Sequence, residues 1–161
     1  FNDINEIITE VSVSSKNILF SIQGYKLISK LVEGNYPDYN KVFPKSLPNN
    51  LRIDRLLLKS ALQRLSILSS EQFKGVKFKL TASLLNLSTI NSQQESGDES
   101  IECEYGGEVL EIGFNLSYLL ETLEVINTEH VVIHLGGSDS GCLLTADADE
   151  SSKYIIMPMR V

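Results

Sequence analysis

This sequence predicts an α+β fold, on three observations. Short apolar runs alternate with polar residues at the two-residue period of strands. Two longer stretches carry apolar residues at the helical period, each entered through a residue type that caps helices, Asp54 and Asn115. The order strand, helix, three strands then occurs twice in succession, which points to duplicated β-α-β-β-β units without obvious identity between the copies.

Taken in order, Glu10–Ser14 alternates charged and apolar residues, Ile18–Gln23 follows Lys16-Asn17, and Tyr25–Val32 follows Gly24. Lys16-Asn17 and Gln23-Gly24 are turn-like pairs between apolar runs, so the first third reads as a β-meander. It has no helix to cover one face of its sheet, so residues 1–35 read as the closing strands of a domain that begins upstream. Residues 36–50 hold Pro37, Pro44 and Pro48 and read as a proline-rich linker, because repeated prolines favour extended chain and forbid helix interiors.

That linker is the one plausible domain boundary, and residues 51–161 follow it. A strand at Leu51 leads to Asp54, which caps a helix running to Leu68. Leu57, Leu58, Ala61, Leu65 and Leu68 gather on one side of that helix. Arg55, Lys59, Gln63 and Ser66 gather on the other with no acid among them, a solvated face on which two positive charges are by themselves a weak electrostatic signal. Strands follow at Val76–Ala82, Leu84–Thr89, Ile101–Tyr105 and Leu110–Phe114. Asn115 caps a second helix through Val125, and strands at Val131–Leu135, Gly141–Thr145 and Tyr154–Met157 complete the pattern.

Composition narrows the function. At 161 residues and 42% hydrophobic the chain can bury a core, and no apolar run approaches the ~20 residues that span a bilayer. No charged-then-apolar leader opens it, and Phe1 in place of Met suggests a start at a boundary or a cut. Cys103 and Cys142 are too few for a disulfide scaffold and read as buried reduced thiols of a cytosolic protein. A net charge of −7 argues against bulk attraction to nucleic acid but leaves room for a local basic face.

Chemistry-bearing motifs are weak. His130 and His134 lie roughly 13 Å apart along one strand face, too far for one zinc ion. Gly136–Gly141 lacks the Lys-Ser/Thr of a phosphate loop, and Asp147, Asp149 and Glu150 lack the glycine and distant glutamate of a calcium loop. No metal site, no cofactor site and no catalytic triad is legible. The carboxyl end is more informative. Ile155 through Val161 place two methionines around Pro158 beside two β-branched residues, a soft apolar surface able to re-pack around different guests, or else a final strand tucked into the core.

Four blocks of sequence resemble one family. Leu31-Val32-Glu33-Gly34-Asn35-Tyr36-Pro37-Asp38-Tyr39, Ile67 through Val76, Glu111 through Tyr118, and Tyr154 through Val161 with its Met-Pro-Met-Arg are similar, in order and spacing, to the bacterial replication sliding clamps, the beta subunits of DNA polymerase III. The resemblance implies the DNA-clamp fold, with sheets outside and two helices on the ring-lining side. It implies that 1–35 are C-terminal strands of clamp domain 2, 36–50 the interdomain linker and 51–161 clamp domain 3.

It also implies a processivity factor without bond chemistry, cytoplasmic in a bacterium and not at a membrane. Such a factor encircles double-stranded DNA without regard to sequence, as a head-to-tail homodimer when full length. The implied partners are the DNA polymerase III alpha subunit, the clamp loader delta subunit, and other polymerases and repair proteins that insert short linear motifs into an apolar cleft. Matching cleft positions are Pro37, Val42, Phe73, Asn115, Tyr118, Cys142, Ile155, Ile156, Met157, Pro158, Met159 and Arg160. Ile67, Leu68, Glu95, Asp98 and Glu99 match the dimer interface, and Arg55, Lys59 and Arg64 lie on or beside the helix expected to face DNA. The alternatives are an isolated partner-peptide-binding module and an enzyme on a clamp-like fold.

Overall fold

The computed structural model describes residues 8–35, 38–44, 46–69 and 74–160, and the chain divides into two compact units, Phe1–Pro37 and Asp38–Val161. The division falls inside the proline-rich stretch, and the residues from Asp38 onward belong to the second unit.

The first unit is an antiparallel meander of β1 (Glu10–Val13), β2 (Asn17–Ile22) and β3 (Tyr25–Lys30). Gln23 and Gly24, both at positive φ, form the two-residue turn that joins β2 to β3, a conformation glycine adopts without cost. Val13, Tyr25, Leu27 and Ile28 are exposed on this sheet.

In the second unit Asp38 caps a single 3₁₀ turn over Tyr39–Lys41 by accepting from the Asn40 N–H at 3.1 Å. The first repeat then comprises β4 (Asn49–Asp54), α1 (Arg55–Ser66), β5 (Gly75–Thr81), β6 (Leu84–Ile90) and β7 (Ser96–Glu102). A two-residue strand β8 (Glu104–Tyr105) leads to the second repeat: β9 (Leu110–Asn115), α2 (Leu116–Val125), β10 (His130–Leu135), β11 (Cys142–Ala146) and β12 (Asp149–Ile156). The duplicated β-α-β-β-β order is therefore real.

The repeats interlock through their first strands. One antiparallel sheet runs β7-β6-β5-β9 and the other β12-β11-β10-β4-β8. Each sheet thus takes three consecutive strands from one repeat and the opening strand of the other. The two helix caps occupy equivalent places in this exchange. Asp54 ends β4 opposite His130, and its carboxylate accepts from the Leu57 N–H at 2.8 Å. Asn115 ends β9 opposite Gly75, and its side-chain oxygen accepts from the Ser117 N–H at 2.9 Å. Each cap satisfies a backbone donor that the first helical turn leaves unpaired.

One continuous core joins both sheets and both helices, with Leu51, Leu58, Leu62, Phe78, Phe114, Leu119 and Ile133 essentially without solvent contact. Phe78 and Phe114 meet edge to face across β5 and β9 with ring centres 5.3 Å apart, a geometry worth roughly 0.5–1.5 kcal/mol beyond burial.

Three sequence expectations are corrected here. The buried stripe of α1 is Leu58, Ala61, Leu62 and Leu65, at the i, i+3, i+4, i+7 spacing, while Leu57 is turned outward and 58% exposed. β7 starts at Ser96 rather than Ile101, and β12 at Asp149 rather than Tyr154. Ser96–Ser100 are too polar to read as a strand, yet they pair along β6 from Ile90↔Ser96 onward, because the backbone ladder is indifferent to side-chain polarity at a sheet edge. The start of β12 is hidden by a turn at Asp147-Ala148, where Ala148 holds φ +60 without being glycine, and by a register shift at Thr145/Ala146.

Candidate functional site

The final strand and the second helix build an open hollow of about 580 Å³. The Asn115 cap starts α2 so that Tyr118 comes in its first turn, and Glu121, Thr122 and Val125 follow on the same stripe at i+3, i+4 and i+7. Strand alternation supplies the other wall. Tyr154 and Ile156, opposite Leu144 and Cys142, pack against the core, while Lys153, Ile155 and Met157 share the opposite face. Tyr118, Val125 and Met157 are each more than half exposed. The hollow is therefore greasy, and bordered by one acid, Glu121, and one base, Lys153.

The tail after Pro158 turns back onto β9, where the Met159 N–H donates to the Gly113 carbonyl at 2.9 Å. Met159 and Arg160 line a second hollow, of about 410 Å³, with Lys77, Glu111 and Ile112. Of the cleft positions matched in the sequence, Tyr118, Ile155, Ile156 and Met157 share the first hollow, Met159 and Arg160 the second, and half-buried Pro158 joins them. Asn115 fixes the helix that carries Tyr118. Cys142 lies wholly in the core beside Ile156, where burial pushes its thiol up to about 12. Val42 is exposed after the 3₁₀ turn, and Pro37 and Phe73 lie outside the described residues.

The three basic residues of α1 all have partners within the chain. Arg55 donates through Nε to the Thr128 carbonyl at 2.9 Å and through Nη1 to the Leu123 carbonyl at 3.1 Å, the latter in the last turn of α2 where carbonyls lack helical partners. Lys59 pairs with Glu124 of α2. Arg64 holds Glu99 of β7 by a two-pronged contact at 2.5 and 2.9 Å, which keeps the Glu99 carboxyl below the usual carboxylate range.

Glu99 is thus one member of an intrachain pair that ties α1 to an edge strand. Ile67, just past α1, is 81% exposed. Leu68 packs over β7, its Cδ1 only 2.7 Å from where a side chain on Gly97 would begin, so the glycine makes room for it. Glu95 accepts from the Asn91 amide at 2.7 Å, and Asp98 borders a third hollow, of about 310 Å³, with Lys77, Ser88 and Ile90.

Sequence reading missed Glu121, Thr122, Val125, Lys153 and Tyr154 as lining residues. The helical spacing from Tyr118 and the strand alternation from Ile155 point to all of them but Tyr154.

Two interlocked β-α-β-β-β repeats with an apolar hollow beside the last strand are the architecture of a DNA-clamp domain. Residues 40–160 match the family model of the DNA polymerase III beta subunit, C-terminal domain, and the chain belongs to that family. It is 42% identical over 137 residues to the beta sliding clamp of Pseudomonas putida KT2440, covering 85% of this chain and 37% of that protein. The beta sliding clamp of Escherichia coli K12 is 37% identical over 151 residues, covering 94% and 41%. A crystal structure of the DNA polymerase sliding clamp from Pseudomonas aeruginosa with ligand superposes with a TM-score of 0.86 at 37% identity, over 95% of this chain and 42% of that one. A sliding clamp from Bartonella birtlesii bound to griselimycin superposes with a TM-score of 0.87 at 30% identity, over 95% and 41%. The chain therefore spans about two fifths of the length of the relatives it matches. No helix among the described residues is long and apolar enough to cross a membrane.

Proposed function

We propose that this chain is the C-terminal part of a non-catalytic processivity factor, a clamp subunit that closes head to tail with a second copy around duplex DNA in the bacterial cytoplasm. In this reading it tethers the DNA polymerase III alpha subunit, receives the clamp loader delta subunit, and docks other polymerases and repair proteins. All of them bind by inserting a short apolar peptide at the hollow between α2 and β12 and along the Met157–Arg160 tail. Tethering turns repeated rebinding into an intramolecular event, which raises processivity without new chemistry. Residues 1–35 act as domain 2 strands and 51–161 as domain 3. Ile67, Leu68, Glu95, Asp98 and Glu99 serve the subunit contact, and Arg55, Lys59 and Arg64 serve the DNA-facing side through the parts of their side chains left exposed.

The observation that supports this most is that Tyr118, Ile155, Ile156 and Met157 line one apolar hollow in a chain of the clamp family. A groove of that kind anchors a small linear motif through a few aromatic and aliphatic side chains. The test is fluorescence anisotropy of a labelled hexapeptide rich in leucine and phenylalanine, with unlabelled griselimycin as competitor. Saturable binding, weakened about tenfold by Met157→Ala, is expected, a loss of the size that burying one apolar side chain supplies. No binding, or equal affinity in the variant, would refute the assignment of the groove.

A further inference from the structure

Both methionines of the chain, Met157 and Met159, stand in its last five residues, on either side of Pro158. Each borders one of the hollows that the proposed peptide site uses. Met157 is 61% exposed and Met159 39%, so both residues reach the surface. The Met157 sulfur rests against Gly141, 3.1 Å from where a side chain on that glycine would begin. It therefore has backbone on one side and the open hollow on the other. Met159 is held by its own backbone, its N–H on the Gly113 carbonyl, while its side chain borders the second hollow.

The thiols offer no competing site of comparable reactivity. Cys142 is fully buried and its thiol is pushed up to about 12, and burial also raises that of Cys103. Thiolate is the form that peroxide attacks, so both are slow, whereas thioether oxidation needs no deprotonation.

We propose that Met157 and Met159 form a reversible oxidation site that turns off peptide capture by the groove; this rests on the peptide-binding reading above. The oxidant is hydrogen peroxide. A sulfur lone pair attacks one peroxide oxygen, an S–O bond forms as the O–O bond breaks, and hydroxide leaves. The hydroxysulfonium proton passes to that hydroxide, so the products are one sulfoxide and one water, with the thioether oxidised by two electrons and the peroxide reduced by two. The sulfoxide is polar and chiral where the thioether was apolar and adaptable. An apolar peptide side chain docked against it would displace water from the S=O group and offer no hydrogen-bond donor of its own, a penalty that corresponds to roughly tenfold in affinity. Met157, the more exposed, oxidises first.

The experiment treats the full 161-residue chain with hydrogen peroxide, maps added oxygen by peptide mass spectrometry, and repeats the anisotropy titration with the same Leu/Phe hexapeptide. Oxygen on Met157 and then Met159, an affinity loss of about tenfold that follows the extent of oxidation, and its recovery after methionine sulfoxide reductase treatment are expected. The double variant Met157→Leu, Met159→Leu, whatever its own affinity, should bind equally before and after peroxide. Unchanged affinity of the doubly oxidised chain, or loss without recovery on reduction, would overturn the inference and leave the groove reading standing. Failure of the untreated chain to bind would instead overturn the groove reading, and this inference with it.

Discussion

The two repeats share one backbone plan and use it for opposite ends. α1 carries Arg55, Lys59 and Arg64 and no acid, while α2 carries Glu121 and Glu124 and no base. The cations of α1 reach across to the end of α2, to Glu124 and to the edge strand β7, so they brace the unit as well as facing outward with the parts left exposed. In the second repeat, Tyr118, Glu121 and Val125 line a hollow beside β12. The two helices of the duplicated fold thus do different work: α1 braces the unit, and α2 borders an open hollow.

The largest effect that would break this comparison comes from the core stripe of α1. Leu58→Ala should cost about 2–5 kcal/mol, because the side chain is wholly buried and its removal leaves a cavity, whereas Leu57→Ala, one residue along, should cost under about 0.5 kcal/mol. Urea unfolding of both variants measures the contrast, and equal losses would show that the helix is rotated from the orientation described. Next in size are the matched caps. Asp54→Ala and Asn115→Ala should each cost about 1 kcal/mol, by the same denaturation assay, since each removes one acceptor from a first helical turn. A large difference between them would mean that the two strand-to-helix corners are not equivalent.

The smallest effect is the pH dependence of the bracing. Arg64, Lys59 and Arg52 lower the carboxyl groups of Glu99, Glu124 and Asp147, in each case chiefly by hydrogen bonding to the charged form. Their folded values lie below the unfolded ones. The stability they add is therefore present above the ordinary carboxylate range and is lost as pH falls through that range toward the folded values. Thermal melts should hold steady from pH 7 to about pH 5 and fall below it. A Glu99→Gln, Glu124→Gln variant should show a shallower fall, and an identical pH profile would remove these pairs from the account.

Much of this was legible in local sequence because the responsible interactions are local. Asp54 and Asn115 announce their helices within three residues, and Gln23-Gly24 announces its turn. What stayed hidden is non-local or carried by backbone. Lys59 meets Glu124 from 65 residues away and Arg64 meets Glu99 from 35, and nothing in either neighbourhood foretells the pairing. The polar half of β7 is a strand only because β6 lies beside it, and the turn at Ala148 lacks the glycine that marks such corners. The candidate groove was legible through its apolar tail. Its division into two hollows was not, because it depends on Met159 bonding back to Gly113 of β9.

If the face shared by α2 and β12 receives partner peptides, a crystal structure of this chain with the Leu/Phe hexapeptide will show the peptide there. Peptide side chains should seat against Tyr118, Ile155 and Met157, with the backbone running toward Met159. A peptide bound elsewhere on the molecule, with that hollow empty, would contradict it.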